Sequence, residues 1–328
     1  MSARGRAATW LPAYLLLAVI WGGSFYFIKL GLVSLTPAGV VLSRLALGLA
    51  TMLVVSVITR TPLPRREVWW PLFVAALVVT SVPWLLFGYG EQHISSALAG
   101  IINGVTPLTT LVVILLFFRE EKPTRRRMVG LGVGFTGLLV VMGVWQGMAT
   151  GSWLGVGACA LAVTLYGFSW PYMRRHLTGG PRASTLSPIA LATGLMAMGT
   201  LQALPMVAVG GYAHAAIGPS TVLGMLALGC LGSGLAYVLN FRVVSRSDAT
   251  TASTVTYLTP LVAVVAGALL LDEEITWNQP LGGLLIVLGA ATAQGLVGRR
   301  TGGTTRTAIR PAEKDGGESA GHDIRTRS

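Results

Sequence analysis

The sequence predicts an all-α polytopic membrane protein, with ten transmembrane helices forming two inverted five-helix repeats. Three observations carry that expectation. The 328 residues are 53% apolar and only 11% charged, with a mean hydropathy of +0.68. A soluble protein has about 25% charged residues. The apolar residues fall in continuous runs of roughly 20, enough to cross a hydrocarbon core about 30 Å thick, and they do not alternate as barrel strands do. Finally, "GVTPLTTLVVILLFFREE" at 104–121 returns as "YLTPLVAVVAGALLLDEE" at 257–274.

The spans are expected near 11–32, 37–59, 68–89, 94–118, 127–145, 152–174, 184–209, 217–240, 249–271 and 278–297. The first follows Arg4 and Arg6, as a signal peptide would. It is too long for one, continues through "AVIWGGSFYFIKLGL", and lacks a small-x-small cleavage site, so it is read as a retained span. Five spans fill a first repeat, 11–145, and five a second, 152–297. The stretch 298–328 is rich in Gly, Thr and charge and is expected to be a disordered cytoplasmic tail.

Charge placement sets the orientation. With the N-terminus inside, 22 of the 24 Lys and Arg residues fall in inner segments, and only Lys29 and Arg44 lie within spans. That satisfies the positive-inside rule with both termini cytoplasmic, in a bacterial inner membrane. The net charge of +12 therefore reflects topology and contact with anionic lipid at Arg125–Arg127, not a nucleic-acid-binding face.

The repeat has an offset of 153. It pairs Ala99 with Ala252, Thr106 with Thr259, Pro107 with Pro260, Leu108 with Leu261, Glu120 with Glu273 and Gly130 with Gly283; eight of the 25 positions from 97 to 121 are identical. A weaker match at offset 145 pairs Trp21-Gly22 with Tyr166-Gly167 and Ser24 with Ser169. Five spans per copy is odd, so the second copy enters from the opposite face. Inverted repeats meeting at mid-membrane are a common architecture of secondary transporters. Pro107 deprives the Asn103 carbonyl of its helix bond, and Pro260 does the same to Thr256. Asn103 lies about 14 Å into its span at 1.5 Å per residue. A carbonyl freed there needs protein, water or a ligand. Two readings follow: tolerated kinks packed against small residues, or a pair of bends lining a central cavity.

"WGGSF", "LSRLALG", "TPLTTLVVILLFFREEKPTRRRMVGLGVGFTGLLVV" and "LTPLVAVVAGALLLDEEITWNQPLGGLLIVLGA" resemble the EamA-type family of the drug/metabolite transporter superfamily, in two copies over residues 11 to 297. The resemblance implies a secondary carrier of small organic solutes, frequently an exporter, with a cavity between its halves. The family's second-span Arg corresponds to Arg44, and its Glu after the fourth and ninth spans to Glu121 and Glu274. The expected activity is export of small metabolites, amino acids or drugs, by alternating access. The alternatives are a membrane scaffold without transport, or a membrane-embedded enzyme.

Arg44 sits about seven residues into span two, where a cation costs at least ~2.5–3.5 kcal/mol and must face protein or water. It either anchors a substrate carboxylate or changes ion partners between states; against these stand a structural bond to carbonyls and snorkelling outward. The other candidate cavity residues are Trp21, Ser24, Trp84, Asn103, Tyr166, Ser169, Tyr237, Asn240, Thr256 and Tyr257, near interrupted or Gly-bearing stretches; Pro83 and Pro171 add further breaks. Pro107 and Pro260 are candidate hinges. Glu91 and His93, closing span three, are candidate proton-coupling groups, against a reading as exposed loop residues. Lys29 either snorkels or pairs with Glu91. Glu120-Glu121 and Glu273-Glu274 are read as caps and loop partners, and Thr276 to Gln279 as a capping box for the last helix. Gly130 and Gly134 form GxxxG, for internal packing or a homodimer.

Enzyme chemistry has little to stand on here. The four His lie at 93, 176, 214 and 322, outside span interiors, and the sequence contains no HExxH, GxSxG or GxxxxGK[ST]. Cys159 and Cys230 are read as small apolar residues. No metal or cofactor is expected, and the expected partners are a small solute and lipid.

Overall fold

The computed structural model describes residues 3–118, 124–142, 150–178, 187–239, 255 and 258–293. The candidates Asn240, Thr256 and Tyr257, the Glu120-Glu121 pair and the stretch 298–328 lie outside them.

The described residues are helical and contain no strand, as continuous apolar runs require when every backbone polar group must be satisfied within its own segment. In chain order the helices are α1 (Ala3–Leu32), α2 (Pro37–Ile58), α3 (Arg66–Gly90), α4 (Ser96–Phe117), α5 (Arg125–Met142), α6 (Thr150–Met173), α7 (Pro188–Gly210), α8 (Pro219–Leu239), α9 (Thr259–Leu270) and α10 (Asn278–Ala293). Seven of these runs are long and apolar enough to cross a membrane, and α9 is a shorter apolar helix. This is a multi-pass membrane protein. Large apolar side chains such as Val57, Leu116, Leu223 and Leu269 point outward, as a lipid-facing surface demands.

Packing pairs helices across the two halves of the chain: α2 lies against α7 and α8, α1 against α8 and α9, α6 against α3 and α4, α4 against α9, and α5 against α10. Glycine makes the α5–α10 seam possible. A Cβ on Gly130 would fall 2.5 Å from the Ala293 nitrogen, and one on Gly137 2.7 Å from the Ile286 nitrogen. Gly289 abuts the Gly134 backbone, and Gly282 abuts Val141. The GxxxG of α5 thus serves contact within the chain. Asn278 closes this seam by donating to the Val141 carbonyl at 3.0 Å.

α4 is broken where the sequence placed its proline. One helical segment ends at Asn103, Gly104 and Val105 form a turn, and the next segment starts at Thr106. The Val105 amide reaches back to Ile102 O (3.0 Å), and Thr109 resumes the helical bond to Val105 O (3.1 Å). The same pattern stands 153 positions later, with Leu258 N to Val255 O at 3.1 Å and Val262 N to Leu258 O at 3.2 Å. The two breaks meet: a Cβ on Gly104 would lie 2.7 Å from the Pro260 ring.

The capping-box expectation for α10 fails. The Gln279 amide bonds the Thr276 backbone carbonyl at 3.0 Å, and the Gln279 side-chain oxygen is buried with no hydrogen-bond partner among the described residues. A backbone turn stands where the box was expected.

Candidate functional site

Arg44 is the focus. It projects from α2 and is only 7% exposed. Its Nε donates to the Ser233 hydroxyl of α8 at 3.0 Å, and its Cζ lies 3.6 Å from the centroid of the Trp84 ring of α3. Such stacking over an indole face is a strong cation–π arrangement once water is excluded. Tyr166 of α6 stands close to the Trp84 indole. Tyr166, Tyr237 and Glu91 all lie within electrostatic reach of the guanidinium. Arg44 therefore does not snorkel, and among the described residues its hydrogen-bond partner is a hydroxyl and not a carbonyl.

Small residues allow this approach. A Cβ on Gly48 would lie 3.0 Å from Ser233 Cβ, and one on Gly229 3.2 Å from the Arg44 carbonyl. α8 widens into a π turn over Ala227–Leu235, which carries Ser233 toward α2. Ser24 of α1 stands beside Gly232 and bonds its own Ile20 carbonyl at 2.9 Å. Ser169 of α6 bonds the Tyr166 carbonyl at 2.7 Å. Both hydroxyls thus serve their own helix. Trp21 packs at the edge of a cluster formed by Tyr14, Leu17, Ala236 and Leu239, apart from Trp84.

The Asn103 carbonyl freed by Pro107 does not wait for a ligand. It accepts the Thr106 hydroxyl at 2.7 Å. Another break had gone unsuspected in its remedy. α3 opens into a π turn at Leu77–Ser81 ahead of Pro83, and Gln202 of α7 bridges it, donating to Phe73 O at 2.7 Å while accepting from the Ser81 hydroxyl at 2.7 Å. Gln202 and Ser233 escaped the sequence reading. The available signal was a lone amide in the apolar run "LMAMGTLQALPMV" and a lone serine in "LGCLGSGLAY".

Glu91 is no exposed loop residue. It is 1% exposed, and neither carboxyl oxygen has a hydrogen-bond partner among the described residues. Lys29 does not pair with that carboxyl; its ammonium donates to the Glu91 and Ile94 backbone carbonyls, capping the end of α3. Burial pushes the Glu91 carboxyl well above the ordinary carboxylate range, against the pull of Lys29. His93 is exposed and stacks edge-on with Tyr89 at 4.8 Å.

An apolar groove of about 1030 Å³ opens elsewhere, between α3 and α7, lined by residues such as Phe73, Leu77, Leu86, Leu201 and Met206. Arg44 does not line it. Cys159 is buried and Cys230 half-buried, both as free thiols. Among the described residues no cluster of His, Cys, Asp or Glu could hold a metal ion.

Arg44 is thus a buried cation on an aromatic face, held where helices of both halves meet in a multi-pass membrane protein. The EamA-like transporter family model matches residues 8–143 and again 153–293, so the chain belongs to that family. Among its relatives, an uncharacterized transporter of Archaeoglobus fulgidus is 25% identical over 84% of this chain and 94% of its own. A probable terminal-alkyne amino-acid exporter of Streptantibioticus cattleyicolor is 25% identical over 94% of this chain and 98% of its own. A solved crystal structure, 17% identical, superposes with a TM-score of 0.63 over 87% of this chain and 99% of that one, and shares the fold.

Proposed function

We propose that the protein is a secondary transporter that exports small organic metabolites by alternating access, from a bacterial inner membrane with both termini cytoplasmic. The observation that carries this is Arg44, buried and bridged to α3 and α8 at the junction of the two family-matched stretches. A cation at that depth is costly unless a site uses it.

Ten spans as two inverted repeats fit the way helices pair across the halves and the recurrence of one break geometry 153 positions apart. The meeting of Gly104 with Pro260 supports a hinge where α4 and α9 cross. Trp84, Tyr166, Tyr237 and Arg44 form the solute site; Trp21, Ser24, Asn103 and Ser169 belong to its surroundings, and Asn240, Thr256 and Tyr257 are proposed for it from the sequence alone. Glu91 supplies proton coupling, and His93 stands outside the buried cluster. The relative named as an amino-acid exporter supports an amphipathic metabolite as cargo.

The test is solute uptake by inverted vesicles containing the purified protein, with and without an imposed pH gradient. The panel is amino acids, nucleobases and cationic dyes. Gradient-dependent accumulation of one class is expected. No accumulation of any solute, from folded and oriented protein, sinks the transporter reading in favour of a scaffold.

A further inference from the structure

The apolar groove between α3 and α7 lies where both helices are interrupted. α3 opens into its π turn at Leu77–Ser81, and α7 carries Pro205 inside its run. A proline in a helix interior has no N–H to give and bends the helix. Leu77 and Pro205 both line the gap, whose volume of about 1030 Å³ equals that of a large ligand pocket.

Its walls give a polar solute no handle. The Gln202 amide is engaged with Phe73 O and the Ser81 hydroxyl. Thr36 Oγ1 donates to Gly211 O at 2.7 Å and accepts from the Gly39 amide at 3.0 Å. The remaining lining side chains are apolar except Tyr89. A site for a small polar molecule needs a few convergent polar groups, and these are already spent. From Leu77 to Tyr89 the groove follows α3 for about 18 Å at 1.5 Å per residue, close to half of a hydrocarbon core about 30 Å thick. Leu77, Leu201 and Val209 are exposed along it, so it opens sideways to lipid. Phe73, stacked on Trp70 at 5.5 Å, stands at the deep end. At the other end Tyr89 sits beside the last residue of α3, edge-on to His93, as tyrosines at headgroup level do. The flanking loops 91–95 and 211–218 hold no Lys or Arg, so nothing there calls for an anionic headgroup.

We propose that this groove binds one acyl chain of a phospholipid from the leaflet at the Gly90 end of α3, its methyl end toward Phe73 and its headgroup beside Tyr89. Lipid tails are as apolar as leucine, so shape selects the position: a chain in the groove gains dispersion contacts from two helices, where the open surface offers one. The proposal stands on the membrane fold and not on the transporter reading.

The experiment is photolabelling of full-length protein in proteoliposomes with phosphatidylethanolamine carrying a diazirine near either the ester or the methyl end of one chain, mapped by peptide mass spectrometry. Label per exposed residue in the groove is expected to exceed that at Val57, Leu223 and Leu269 by about five-fold or more. The methyl-end probe should mark Leu77 and Leu201, and the ester-end probe Leu86, Met206 and Val209. Leu201→Trp, which fills the groove, should remove most of this label, and Leu223→Trp on the face of α8 should not. Should Leu201→Trp fail to fold, the depth order in wild type decides. Even labelling of all lipid-facing helices overturns the proposal, as does a reversed depth order or groove label unchanged in Leu201→Trp. Labelling by a diazirine fatty acid but not by the phospholipid overturns it in favour of a free acid, and displacement of the label by a saturating cationic dye overturns it in favour of solute.

Discussion

The Glu273 carboxylate reaches across 177 positions of sequence to cap Ser96. It accepts from the Ser96 amide at 2.7 Å and hydroxyl at 3.1 Å, and from the Ala97 amide at 3.0 Å. A negative group at a helix N-terminus satisfies orphan donors and complements the dipole. The second half of the chain thereby holds the start of α4, the helix that carries the Pro107 break. Glu273→Ala leaves those donors bare and is expected to cost about 1–2 kcal/mol, the range of a lost N-cap. A thermal-unfolding midpoint in detergent reads this directly, and an unchanged midpoint contradicts the cap.

Gln202 supplies the second check on stability. Gln202→Leu removes partners from Ser81 and Phe73 O at once. Leaving buried polar groups unsatisfied costs about 1–3 kcal/mol. Unfolding midpoints of Gln202→Leu and Gln202→Glu, compared with wild type, should show the leucine variant clearly less stable. Equal midpoints for leucine and wild type would show the bridge to be idle.

Glu91 predicts a pH dependence with a definite sign. Its carboxyl, raised mainly by burial, keeps its proton in the folded protein after the unfolded chain has lost it. The stabilisation is complete below the ordinary carboxylate range and fades as pH rises through the raised value. As pH rises above the ordinary carboxylate range, wild-type stability should fall more steeply than that of Glu91→Gln. Parallel curves would mean that Glu91 has no raised titration. The groups facing it are Lys29 from α1, Arg44 from α2, Cys159 from α6 and Glu273 from the loop before α10, so in Lys29→Met the same fall should move to higher pH.

The hinge proposal is tested by Pro107→Ala and Pro260→Ala. Each restores an N–H and invites the helix to close through the turn, although Thr106 already occupies the Asn103 carbonyl. Slower transport with normal membrane insertion is expected in both, and wild-type rates in both would remove the hinge.

Much of this fold was legible in sequence because membrane helices are written in long apolar runs and a repeat writes them twice. Arg44 stood out for the same reason, a lone charge in an apolar span. What surrounds it was not legible. Ser233 reaches Arg44 only because α8 widens into a π turn between glycines, and no period in the sequence marks such a turn. Glu91 reads as a loop residue from its position, and its burial follows from α1 and α6 closing over the end of α3. Gly155 of α6, for instance, would set a Cβ 2.9 Å from the Gly90 carbonyl. The Lys29 ammonium lies near Glu91 as expected but holds its peptide carbonyl, a distinction that only coordinates make.

The most direct measurement is the rate of solute flux through wild-type and Arg44→Gln protein in the same proteoliposomes, at matched insertion and folding. The account predicts measurable flux of a small organic solute through wild type and a loss of at least ten-fold in the variant. Flux through Arg44→Gln at the wild-type rate would contradict it, because the buried cation would then be only a packing element between α2, α3 and α8.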